Sequence, residues 1–301
     1  MKSIVPIKTY SMMHLLNRFP GQGLVNQSLA LLSLVGLGAP GWAAEGQNPP
    51  IQTYRIESPF QHEATNVRVL LPDDFEQKKR YQVLYVLPVL AHDEHRHGDG
   101  LGEVMKYGYH NTHQLICVAP EFTSKPWFAD HSSNRGRQDE SHLLKIVLPF
   151  IDKKFPTQTG KKGRLLLGFS KSGWGAFTLL LRNPDVFYRA AGWDSGIRVD
   201  TGPLEEEDRA NRIAENFGSE SNFEAYRISS LLKKGGPLWS DEARLFYYNT
   251  EGTRAEGGVE IHRLMVASGL PHRYLFEPIR PHRWDSGWIP QAVEFLVEEI
   301  N

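Results

Sequence analysis

The stretch "RLLLGFSKSGWGAFTLLLRNP", Arg164 to Pro184, passes from a strand pattern through two serines into a helix pattern. "RLLLGF" is apolar throughout after Arg164, as a strand covered on both faces must be. Lys171 to Arg182 has the length and apolar content of a buried helix. Between them stands G-x-S-x-S, Gly168 to Ser172, with Ser172 where a G-x-S-x-G turn carries its second glycine. The serine at the apex of such a sharp strand-to-helix turn is exposed as a nucleophile. Residues two before and two after the apex pass close to neighbouring backbone and must be small. Around Ser170 those positions are Gly168 and Ser172, both small. Around Ser172 they are Ser170 and Trp174, and an indole does not fit. Ser170 is therefore the expected nucleophile. The bare motif also occurs in turns that only pack, and the flanking strand and helix give it meaning.

Working outward, apolar or alternating runs predict strands at "IQTYRIES", "TNVRVLLP", "YQVLYVLPV" (Tyr81 to Val89), "QLICVAP", "YRAAGWDSG", "ARLFYYNTE" and "HRYLFEP". Helical spacing predicts a helix over Ser141 to Phe155, with Ser141 as its N-cap and a kink at Pro149. Further helices are expected at Val259 to Gly269 and in "PQAVEFLVEEI". The acidic stretch near residues 200–240 reads as a helical insertion. Strands alternating with helices imply a mostly parallel twisted sheet with helices on both faces, a three-layer sandwich. The first strands have no helix between them, so that edge is expected to be antiparallel. Residues 45–301 read as one domain.

In a turn of this design the chain order is serine, acid, histidine. His282, in "IRPHRWDSGW", follows the last strand and is the expected base. His272 begins that strand, at the wrong end of the sheet. Three carboxylates are candidates for the acid, in the order Glu251, Asp194, Glu256. Glu251 ends the strand before the histidine loop, and Asp194 ends the strand after the serine turn. Two backbone N–H groups are expected to hold an oxyanion, those of Lys171 and of Leu90 in the loop "PVLAHDEHRHGDG". A Ser170–Lys171 side-chain dyad is disfavoured, since neighbours on such a turn point apart. His92, Trp127 and Phe128 are expected at the mouth of the pocket. His92, His95 and His97 lie among acids, but one such loop is more often solvated than metal-bound, and no metal is expected.

The 301 residues are 40% hydrophobic and 23% charged, with a formal net charge of −1, so no basic field argues for nucleic acid or membrane. The lone cysteine, Cys117, lies in an apolar strand pattern and reads as buried. Residues 1–44 carry Lys2, Lys8 and Arg18, then a short apolar run and small residues at Ala43 and Ala44. That is the pattern of a secretory leader, and it predicts a secreted or periplasmic mature chain without a membrane span.

With these parts in place, the chain resembles the putative esterase family of α/β hydrolases, which includes esterase D (S-formylglutathione hydrolase), feruloyl esterases and mycolyltransferases. The likeness rests on "YQVLYVLP", "LPFIDKKFP", "RLLLGFSKSGWGAFTLLLRNPDVF", "SGLPHRY" and "PHRWDSGW" and covers roughly Ile51 to Ile300. It implies the α/β-hydrolase fold, Ser170 as nucleophile, His282 as base, and ester hydrolysis through an acyl-enzyme without a cofactor. Small-molecule or polysaccharide-linked acyl esters fit that expectation, with acyl transfer as a variant. The family's "LHG" is replaced here by Leu87-Pro88-Val89. Two rivals from other classes are a non-catalytic hydrolase-like binding domain and a metal-dependent hydrolase centred on the histidine-rich loop.

Overall fold

The computed structural model describes residues 51–196, 198, 200–202, 205–235, 242–252 and 255–298. The leader read at residues 1–44 lies outside them. The chain from Gln47 to Asn301 forms one compact unit.

Three strands come first: β1 (Gln52–Ile56), β2 (Thr65–Leu70) and β3 (Gln82–Leu87). Two short helices follow, α1 (Gly100–Lys106) and α2 (Tyr109–Thr112), then β4 (Leu115–Pro120). Next come α3 (Asp139–His142), a π-helical turn (Leu143–Val147) and α4 (Leu148–Lys154). Then β5 (Arg164–Phe169), α5 (Lys171–Arg182) and β6 (Arg189–Trp193) form the strand–turn–helix–strand unit. Helices α6 (Glu206–Phe217), α7 (Glu220–Tyr226) and α8 (Ile228–Lys234) occupy the acidic insertion. The chain continues with β7 (Leu245–Thr250), α9 (Ala255–Ser268), β8 (Arg273–Glu277) and α10 (Ile289–Val297).

The eight strands form one sheet in the order β1-β2-β4-β3-β5-β6-β7-β8. β1 pairs with β2, and β2 with β4, antiparallel; every other pair is parallel. Alternate strand residues face opposite layers. Val83, Tyr85 and Leu87 of β3 join a core shared with α4, α5, the insertion helices and α9. Leu84 and Val86 join a second core under α1 and α10. Burying each such aliphatic side chain contributes roughly 1.5–3 kcal/mol. Cys117 is fully buried in the second core, and burial pushes its thiol pKa up.

Two local readings are corrected. The helix expected from Ser141 starts earlier, at Asp139, and Ser141 is not its N-cap. Asp130 does that work from the preceding loop, accepting from the Ser141 backbone N–H (2.9 Å) and hydroxyl (2.6 Å). The π-helical turn ends at Val147, and Pro149 falls in the first turn of α4, where its missing N–H is least costly. Helices α1 and α2, in a stretch rich in glycine and histidine, carried no recognisable helical period.

A buried histidine ties α3 to the antiparallel edge. His142 is 0% exposed, with Nδ1 2.9 Å from Ser58 Oγ and Nε2 3.3 Å from Thr65 Oγ1. Burial lowers its pKa to about 4. The unfolded chain therefore takes up this proton first, at about pH 6.5. Its contribution is present above that pH and is lost as the pH falls toward about 4, on the order of 3 kcal/mol. Thermal unfolding followed against pH should show a flatter acid limb in His142→Gln than in the parent. Parallel profiles would contradict this.

Candidate active site

The turn after β5 is built by close approach. A Cβ on Gly168 would lie 2.2 Å from the Ser172 carbonyl oxygen, so only glycine fits there. Ser170 takes φ 54° and ψ −125°, a strained conformation for a residue with a side chain. Its N–H donates to the Trp193 carbonyl at 2.8 Å, fixing the turn on β6. Ser172 is fully buried; its Oγ accepts from the Phe169 N–H (3.0 Å) and lies 2.9 Å from the Phe169 carbonyl, to which it donates. The serine that replaces glycine is thus a clasp across the turn. Trp174 is buried and donates from Nε1 to Asp200 Oδ2 at 2.8 Å. Ser172→Ala should cost about 1–3 kcal/mol, because a buried N–H loses its acceptor. Urea unfolding would check this, and an unchanged midpoint would contradict it.

His282 lies in the loop after β8. Its Nε2 is 3.0 Å from Ser170 Oγ. Its Nδ1 is hydrogen-bonded to Asp194 Oδ2. Asp194 directly follows β6, has φ 48°, and its N–H donates to the Tyr248 carbonyl at 3.0 Å. Ser170 and Asp194 are 6% and 7% exposed, so the group is nearly shielded yet reachable.

The order of the carboxylates is corrected here. Glu251, placed first, is exposed, and its backbone N–H bonds to the Glu277 carbonyl. Glu256 is exposed in the first turn of α9. The physical reason is the path of the histidine loop. It does not stay above β7 and β8 but returns across the strand ends. There the His282 ring packs 4.4 Å from the Phe169 ring and 6.2 Å from the Trp193 ring. That places the imidazole above β5 and β6, within reach of the short aspartate at the end of β6. The competitor His272 pairs instead with His262, Nε2 to Nδ1, at 2.9 Å.

The loop is held at several points. Trp284 N–H donates to the His97 carbonyl at 2.8 Å. Arg280 reaches Glu277 (2.8 Å) and the Ser286 carbonyl (3.0 Å). His97 stands edge-on to His282 at 5.8 Å. The sequence reading gave no role to Phe169, Trp193 or His97 as walls of the histidine. Phe169 and Trp193 directly precede Ser170 and Asp194, and that adjacency was the available signal.

β3 pairs in parallel with β5, Leu87 opposite Gly168, so the loop holding Leu90 lies beside the serine turn. Leu90 is buried. Lys171 is the first residue of α5, where backbone N–H groups have no intrahelical acceptor. The helix N-terminus also favours negative charge at that point.

Phe128, expected at the mouth of the pocket, is instead a core residue. It is 0% exposed, packs on Phe122, and fills the space of a missing Cβ at Gly175. Trp127 is half-buried against Trp174 and Phe217. His92 is exposed at φ 49° and lines a small cavity of about 40 Å³ with Leu90, Arg68 and Trp284. Against that loop, Arg68 of β2 pairs with Asp99 at 2.6 Å and lies 3.8 Å from Asp93, which contacts His95 at 2.5 Å. A guanidinium already provides the positive charge among these acids. Among the described residues, no group of three His, Cys, Asp or Glu side chains is arranged to hold a metal ion. No described helix is long and apolar enough to cross a membrane.

The layered sheet and its connections are those of the α/β-hydrolase fold. Residues 58–198, from before β2 to beyond Asp194, match the family described as "Putative esterase". Esterase MT1326 of Mycobacterium tuberculosis is 26% identical over 214 residues, covering 66% of this chain and 41% of the relative. The chain thus spans about two fifths of that relative's length. Among solved structures, a ferulic acid esterase superposes with TM-score 0.62 at 19% identity, covering 82% of this chain and 97% of that one. A fluorophosphonate-binding serine hydrolase of Staphylococcus aureus, FphF, gives TM-score 0.65 at 17% identity, with 83% and 99% covered. At these identities the two structures establish the shared fold.

Proposed function

We propose that this chain is a serine esterase that cleaves carboxylic esters through an acyl-enzyme. The observation that carries the reading is the continuous line Asp194–His282–Ser170 at the strand ends. In this reading Ser170 Oγ attacks the ester carbonyl while His282 Nε2 takes its proton. Asp194 holds the Nδ1–H tautomer and stabilises the imidazolium. Backbone N–H groups of Lys171 and Leu90 receive the oxyanion. His282 then protonates the leaving alcohol, and water attacks the acyl-enzyme with the same histidine as base.

The strained backbone at Ser170 and the matched segment of an esterase family support this reading. Acyl esters attached to polysaccharide, such as feruloyl or acetyl esters, are the substrates proposed for an exported enzyme. Export itself rests on the basic and apolar pattern of residues 1–44. Folded protein should turn over p-nitrophenyl acetate, with or without a chelator. No turnover by folded protein would favour a non-catalytic binding domain. Turnover abolished by the chelator would favour metal-dependent hydrolysis.

A further inference from the structure

Lys171 enters the reading above only through its backbone. Its side chain is half-buried, and the ammonium lies 5.3 Å from the centre of the Trp127 ring. Trp127 is backed by Trp174 and Phe217, so the cation rests against an aromatic wall. Among the described residues this ammonium makes no ion pair. Asp139, the acid that acts on it most strongly, has its oxygens engaged elsewhere. One accepts from the Trp127 backbone N–H at 2.8 Å, the other from Gln61 Nε2 at 3.3 Å.

The charged groups around Lys171 are Asp139, Lys125, Arg137 and Glu215. Arg137 is itself turned to the Glu215 carbonyl (2.6 Å) and Asn216 (3.0 Å). Burial raises the Asp139 carboxyl to about 6, so its negative charge is weakened just below neutral pH. Burial likewise lowers the Lys171 ammonium to about 7, against the pull of Asp139. A cation set in an apolar wall without an ion-pair partner is costly, and a bound anion would complete it. The Cα atoms of Lys171 and Ser170 are about 3.8 Å apart. With the two side chains pointing apart, the ammonium lies at most about 13 Å from the Ser170 hydroxyl, a gap that an extended substrate group has to span.

We infer that Lys171 and Trp127 form a receptor for a free carboxylate on the substrate, so that the enzyme prefers esters bearing a second, anionic group. The inference rests on the serine-esterase reading. The carboxylate can belong to the acyl part or to the alcohol part, and two substrate pairs separate these. Mono-p-nitrophenyl adipate against p-nitrophenyl hexanoate tests the acyl side. 4-Acetoxybenzoate against phenyl acetate tests the alcohol side.

The readout is the ratio of kcat/KM, charged over neutral, within each pair. The parent should show a ratio of about tenfold or more in one pair. Lys171→Met should bring that ratio close to one. The preference should also fade as the pH rises from about 6 to about 9, as the ammonium loses its proton. In Lys171→Arg it should persist across that range, because a guanidinium keeps its charge. Ratios near one in both pairs, or a ratio that survives Lys171→Met, would overturn the inference and leave the esterase reading intact. Folded protein that turns over none of the four esters would remove both.

Discussion

Ser170→Ala should lower kcat for p-nitrophenyl acetate by about 10⁴–10⁶-fold while the protein stays folded. The hydroxyl is the only atom lost, and its contact with His282 Nε2 at 3.0 Å is the proton route in this account. The turn survives because its hydrogen bonds use the Ser170 backbone and the Ser172 side chain. His282→Ala should cost about as much, and the double variant little more, since the two act as a unit. An unfolding midpoint near that of the parent would show that the loss is chemical. Appreciable turnover by Ser170→Ala would move the nucleophile elsewhere.

Asp194→Asn should lower kcat by about 10⁴-fold, with KM little changed. The amide keeps the shape, but its NH2 can donate to Nδ1 and so holds the histidine in the tautomer that cannot receive the serine proton. Glu251→Gln should leave kcat/KM unchanged, since that side chain is exposed. Steady-state kinetics of both variants decide the acid. A large loss in Glu251→Gln with Asp194→Asn still active would restore the reading from strand order.

The comparison of these two carboxylates shows where sequence reasoning stops. The layered sheet was legible because strand and helix periods are local. "RLLLGF" has the continuous apolar run and the length of a doubly covered strand, and Gly168 is demanded by a backbone 2.2 Å from its missing Cβ. The closeness of His282 to Ser170 follows from topology, since β5 and β8 run parallel and the loop after β8 emerges at the same end of the sheet as the serine turn. Which acid meets the histidine depends on how far that loop travels back over the sheet. Its course is set by contacts with Phe169 and Trp193, more than 80 residues away in the chain. Phe128 was misread for a similar reason. An aromatic in a loop looks like a pocket wall until the socket at Gly175, far along the chain, is in view.

The lysine after the nucleophile shows the converse. Local sequence supplied the residue, and only the packing of Trp127 and the engagement of Asp139 give its side chain a reason to seek an anion.

The central claim is that Ser170 is a nucleophile activated by His282 and Asp194. Intact-mass spectrometry after reaction with a fluorophosphonate probe tests it most directly. The account predicts a single adduct on the parent that maps to Ser170, no adduct on Ser170→Ala, and slowed labelling of Asp194→Asn. Folded parent protein that takes up no probe, or an adduct that persists on Ser170→Ala, would contradict it.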